Sequence, residues 1–245
     1  MFEHGSPFDP EELSELNLPD DLVDAHVAFN LCYWRPHVFG LEAEPEVARF
    51  VERFDLEVLD EQQPDEGHVY SAGRFLEGWN EGNEAGYQVG AAVHPDAPTL
   101  PTSEIRRCWE WNRCVIERQA SSLGERVFVA KIAFLREGGV VQSYATWADA
   151  MPILLPRVDL VAIVCDSLAQ GKRGRHSKSH TFVEWSQLEQ LSRNGRLDEE
   201  SGAVIFDYPE PPSAVVDFFR SRRPVEREIR GLAVYEVKDA ELMRA

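Results

Sequence analysis

The run Val158-Asp159-Leu160-Val161-Ala162-Ile163-Val164-Cys165-Asp166 decides how this chain is read. It is almost continuously apolar and rich in β-branched residues, the pattern of a strand buried on both faces, as in a partly parallel sheet. Shortly beyond it comes Gly171-Lys172-Arg173-Gly174-Arg175-His176-Ser177-Lys178-Ser179-His180, ten residues with four cations, two histidines and no acid. Loops after the carboxyl ends of buried parallel strands are where open α/β sheets place ligands. The strand and its basic loop are therefore the first place to look for a site.

Further strands and helices alternate around this run. Arg126–Arg136 reads as one long strand, turned by Glu137-Gly138-Gly139 into a hairpin with Val140–Tyr144. Thr146–Met151 reads as a short helical piece. Thr181-Phe182-Val183 and Ala203-Val204-Ile205-Phe206 read as strands, Trp185–Ser192 and Ser213–Arg222 as helices, and Ile229–Val237 as a last strand. Upstream, Thr102–Leu123 reads as a helix with Thr102 as N-cap and Gly124 after its end. Asn112 falls in the middle of its apolar arc, where a buried amide must find partners; a neighbouring backbone is the expected one. The alternation predicts an α/β (or α+β) fold with a mixed, partly parallel central sheet flanked by helices.

The amino-terminal region has a different character. Ala25–Arg35 alternates Val27, Phe29, Leu31 and Tyr33 in period two and predicts a strand; Pro45–Phe54 predicts a helix, and Leu56–Leu59 a short strand. Between residues 71 and 90, Gly78, Gly82, Gly86 and Gly90 recur every four residues. Two readings stand. One is a helix with a smooth glycine stripe packed tightly on a neighbour, which must offset about 1 kcal/mol per interior glycine. The other is an irregular Asn/Gly loop. On a helix, Trp79, Asn80, Asn83 and Glu84 would cluster and line a pocket; otherwise Trp79 is core and the asparagines are turn formers.

Charge divides the chain more sharply than hydropathy does. Residues 1–100 hold 22 Asp/Glu against 4 Lys/Arg, and residues 101–245 hold 21 of each, so the whole net charge of −18 lies in the first part. The expectation is one globular α/β domain, 1–245, with an acidic amino-terminal part and a charge-neutral remainder joined by the Pro-containing connector Ala91–Pro101. An acidic surface solubilises, and it also suits a basic partner; direct nucleic-acid binding by that part is disfavoured because phosphate contacts need Lys and Arg. Met1–Pro7 lacks the basic and apolar regions of a signal peptide, and the four cysteines form no paired framework. No apolar run reaches the length of a membrane span. A soluble cytoplasmic protein with reduced thiols is expected.

Three functional readings follow. The first is a non-enzymatic binding protein of the immunity, adaptor or regulatory kind, acting through its polarised charge on a protein partner, or on a second copy by acidic-to-basic docking. The second is an enzyme or sensor for a phosphate-bearing ligand such as a nucleotide. Here Asp166 and Asp207, each following a strand, would hold Mg²⁺ while Lys172, Arg173, Arg175 and Lys178 take phosphate oxygens, with His176 and His180 alongside. The third is nucleic-acid binding through this loop and the cluster Arg220, Arg222, Arg223, Arg227 and Arg230. His176 and His180 have i, i+4 spacing, but the surrounding cations disfavour a divalent metal. The sequence contains no P-loop, dinucleotide fingerprint, H-E-x-x-H or G-x-S-x-G motif. The first reading is the one preferred.

Overall fold

The computed structural model describes residues 2–4, 27–60, 69–121, 126–165, 180–223 and 230–244. The chain divides into two compact units, Met1–Pro95 with Leu242–Ala245, and Asp96–Glu241. No helix among the described residues is long and apolar enough to cross a membrane. The fold is α/β, with mixed parallel and antiparallel sheets.

In the first unit, β1 (Phe2–His4) pairs antiparallel with β2 (Val27–Phe29), followed by helices α1 (Val38–Phe54) and α2 (Ala72–Val93). The expected strand to Arg35 stops at Phe29 because Tyr33 and Trp34 turn instead onto α2. Helix α1 begins seven residues earlier than the sequence suggested and passes through Pro45; the carbonyls of Pro36 and His37 accept from Phe39 and Gly40 to start it. Residues 56–59 form no strand. The glycine-rich segment is helical, and Ser71 accepts from the Arg74 amide at its start.

The second unit opens with β3 (Thr99–Leu100), α3 (Thr102–Arg113) and α4 (Val115–Ser121). The single helix expected here is broken at Cys114. Thr102 is the first helical residue rather than the cap, and the Glu241 carboxylate accepts from both its amide and its hydroxyl. These bonds hold Glu241 below the ordinary carboxylate range. Strand β3 pairs in parallel with β13 (Lys238–Asp239), which brings the two ends of this unit together.

The main sheet has the order β12-β5-β6-β8-β9, from β5 (Ala133–Glu137), β6 (Val140–Ala148), β8 (Leu160–Val164), β9 (His180–Glu184) and β12 (Arg230–Leu232). The hairpin between β5 and β6 closes on Gly138 and Gly139, both at positive φ, as a two-residue turn of this kind requires. Strand β8 is an interior strand parallel to β6, and Leu160, Val161, Ala162 and Ile163 are at most 4 % exposed. Two-sided burial is what its apolar run predicts. Strand β6 continues through Thr146–Ala148, where a helical piece was expected. Trp147 lies between the layers, stacked on Phe206 at 4.4 Å and edge-on to Phe219 at 5.1 Å. The turn comes only at Asp149 and Ala150, both left-handed and held by Asp149 N donating to Val164 O and Tyr208 Oη donating to Ala150 O.

A second sheet has the order β10-β11-β7-β4, from β4 (Phe128–Val129), β7 (Ile153–Leu155), β10 (Arg196–Leu197) and β11 (Val204–Phe206). Helix α5 (Ser213–Ser221) buries Val215, Phe218 and Phe219. The expected long strand 126–136 is in fact two strands in different sheets, and the chain crosses between them at 130–132. One side of β4 is held by β7, with Phe128 N donating to Pro152 O and Ala130 N to Leu154 O. The other side is held by helix side chains. Gln119 donates to Val127 O and accepts from Val129 N, Trp111 Nε1 donates to Ala130 O, and Asn112 both donates to Ile132 O and accepts from Ile132 N. Asn112 thus binds a neighbouring backbone, as its place in the apolar arc implied.

Cys108 is buried, and burial pushes its thiol up to about 12. At about pH 8 it is almost wholly protonated and inert. Iodoacetamide then labels exposed Cys32 in the native chain and leaves Cys108 unmodified until denaturant is added; rapid native labelling of Cys108 contradicts the packing. Truncation at the crossing strands a backbone N–H and C=O, which costs about 1–3 kcal/mol. Asn112→Ala is expected to lower the urea midpoint accordingly. Asn112→Asp keeps the acceptor for Ile132 N and falls between that variant and wild type.

Candidate functional site: an acidic helix face

Helix α2 has two faces with different tasks. On its inner face the glycines admit aromatic rings: a Cβ on Gly82 would overlap the Tyr33 ring, and one on Gly90 the Trp34 ring. At Gly86 a Cβ would lie 2.7 Å from Tyr33 Cβ, closer than real side chains come, and 3.0 Å from its carbonyl carbon, a tight contact with backbone. Trp79 completes the seam, buried against Gly40 of α1 and donating Nε1 to His37 O at 2.9 Å. Asn83 is buried and donates Nδ2 to Tyr33 O at 2.6 Å and Arg35 O at 2.9 Å. Trp34 packs on Tyr87 at 4.9 Å and Tyr33 on Trp79 at 5.6 Å.

Trp79, Asn80, Asn83 and Glu84 therefore line no common pocket. Trp79 and Asn83 belong to the core, with Asn83 binding backbone rather than forming a turn, while Asn80 and Glu84 face solvent. The outward face carries Glu77, Glu81, Glu84 and Gln88, spaced i, i+4, i+7 and i+11, so that they form one stripe. All four are exposed, and none of the three glutamates pairs with a cation among the described residues. Like charges at such spacings cost about 0.2–0.5 kcal/mol per pair on a helix. Past the stripe, Val89 and Val93 are exposed at 70 % and 66 %. The arrangement spaces the glutamates roughly 4.5–6 Å apart along the axis, an array suited to lysine and arginine side chains.

Of the residues expected to bind phosphate, Asp166, Lys172, Arg173, Arg175, His176 and Lys178 lie outside the described residues. His180 opens β9, exposed, edge-on to Phe182 at 5.8 Å and opposite Val164. Asp207 follows β11, and Arg126 Nη2 donates to its carboxylate at 2.6 Å. Strands β8 and β11 belong to different sheets, and β11 is antiparallel to both its neighbours. The two sheets meet where Phe206 of β11 stacks on Trp147 of β6, the register partner of Ile163. In the arginine cluster, Arg230 pairs with Glu236, and Arg222 donates to Phe218 O and lies over the Phe218 ring at 4.2 Å. Arg220 and Arg223 are exposed, and Arg227 lies outside the described residues. No group of three or more His, Cys, Asp or Glu among the described residues has metal-binding geometry.

Compared with protein-family models, curated proteins and solved structures, the chain matches none of them.

The two faces of α2 separate by mutation. Alanine at Gly86 gains about 1 kcal/mol of helix propensity but meets Tyr33 backbone, so Gly86→Ala is expected to destabilise by about 2 kcal/mol net. Gly73 has only Ser71 Oγ near, at 3.7 Å, and Gly73→Ala is expected to be neutral or stabilising. Thermal unfolding of the pair checks this; equal effects contradict the stripe.

Proposed function

We propose that this is a non-enzymatic binding protein of the immunity, adaptor or regulatory kind, whose acidic amino-terminal unit docks a basic macromolecular partner. The observation that carries the reading is the carboxylate stripe Glu77, Glu81 and Glu84 on the solvent face of α2, which pairs with no cation among the described residues. The helix keeps these like charges together although its other face already strains helix propensity with glycine. A solubilising surface has no need to concentrate charge in a single row; mixed signs serve as well. The net charge supports the same reading, since the excess of acid lies entirely in residues 1–100. Such a field accelerates encounter with a basic partner and rejects acidic ones, and salt weakens both effects.

The test uses the immobilised full chain and its triple variant E77Q/E81Q/E84Q, which removes three charges and touches no internal contact. Partner capture by wild type is expected to fall steeply between about 50 and 500 mM salt. The triple variant is expected to capture at least tenfold less at low salt while melting at the same temperature or slightly higher, its repulsion being relieved. Capture that is insensitive to both salt and the triple substitution overturns the proposal and leaves the stripe a solubilising surface.

A further inference from the structure

A second surface has different chemistry and lies wholly in the carboxy-terminal unit. Helix α4, the crossing segment after β4 and the outer face of β6 enclose an open trough of about 700 Å³. Its apolar walls come from Ile116, Ala120 and Phe128, with Ile116 79 % and Phe128 47 % exposed. The size and lining are those of a small-molecule site. The floor is closed to strand addition, because its backbone groups are already bonded to β7 on one side and to Gln119, Trp111 and Asn112 on the other. Side-chain chemistry alone therefore decides what the trough takes.

That chemistry is asymmetric. The Gln119 amide is engaged by Val127 O and Val129 N. The polar groups left are Lys131 Nζ and the hydroxyls of Tyr144 and Thr146, and none of the three makes an ion pair or hydrogen bond among the described residues. Lys131 precedes β5 by two residues, Ala133 at the start of β5 is paired with Tyr144, and Lys131, Tyr144 and Thr146 all line the trough. The Tyr144 ring is fixed edge-on to Phe182 at 5.6 Å. A lysine with no ion pair among the described residues, lining the same apolar trough as two hydroxyl donors, is an anion acceptor with a greasy annex. Phosphate alone would leave the apolar walls uncovered, and a neutral hydrocarbon would leave the ammonium without a counter-charge.

We propose that this trough binds a small amphipathic carboxylate, an unbranched fatty-acid-like molecule. Its head group accepts from Lys131, Tyr144 and Thr146, and its chain lies along Ile116, Ala120 and Phe128. The carboxylate neutralises Lys131, and the chain removes Ile116 and Phe128 from water.

The probe is decanoate, titrated calorimetrically into the full chain below its micelle concentration. Saturable one-to-one binding is expected. Octanoate, two methylenes shorter, is expected to bind roughly tenfold more weakly, and 1-decanol, which lacks the charge, at least tenfold more weakly. Lys131→Ala is expected to weaken decanoate about tenfold and leave 1-decanol unchanged. Ala120→Trp, at an exposed position on the trough wall, fills the chain site and is expected to abolish binding of both, with an unchanged melting temperature reporting that the fold is intact. Absence of saturable decanoate binding overturns the proposal. So does an affinity unmoved by Lys131→Ala and Ala120→Trp, and so does equal binding of decanoate and 1-decanol.

Discussion

The carboxy-terminal unit depends on the way three helix side chains close one edge of a crossing strand. A chain that leaves one sheet to join another has, at the crossing, backbone groups that neither ladder can satisfy, and leaving them unpaired in a buried place costs more than any single packing contact returns. Gln119, Trp111 and Asn112 supply amide and indole groups at the positions where a neighbouring strand would supply peptide groups. With that edge closed, residues 128–137 can serve both sheets, and α3 and α4 are tied to the sheet by directed bonds as well as by apolar burial. The same closure fixes the floor of the trough beside α4.

The amino-terminal unit solves its packing problem by subtraction. Helix α2 gives up side chains at Gly82, Gly86 and Gly90 so that Tyr33 and Trp34 can approach its backbone. Such a helix has poor intrinsic propensity and exists because the aromatic seam and Asn83 hold it. Its structural duties are confined to one side, so the other side is free to carry charge without disturbing the core. Core packing and surface charge here divide the same helix lengthwise.

The two units thus offer surfaces of unlike chemistry. One is a row of carboxylates whose interaction is long-ranged and salt-dependent. The other is a concave apolar surface lined by Lys131, Tyr144 and Thr146, proposed to take a small molecule through short-ranged contacts set by shape and charge. Asp207, a Mg²⁺ ligand only under the nucleotide reading of the sequence, forms an ion pair with Arg126.

Some of this was determined by the sequence alone. The apolar run 158–165 specifies a doubly buried strand because a two-sided hydrophobic pattern has no other satisfied state in water, and Gly138-Gly139 specifies a hairpin because only glycine enters those backbone conformations cheaply. The position of the acid excess is likewise a property of composition. Tertiary structure decided the rest. Period-two alternation across 126–136 is the same whether the strand stays in one sheet or passes into a second; the side chains of α3 and α4, which pack beside the crossing, made that choice. The glycine repeat of 78–90 fits loop and helix equally until Tyr33 and Trp34, some fifty residues away, fill its grooves. Lys131, Tyr144 and Thr146 carry no motif, because what unites them is a shared trough that exists only once the sheet and α4 are in place.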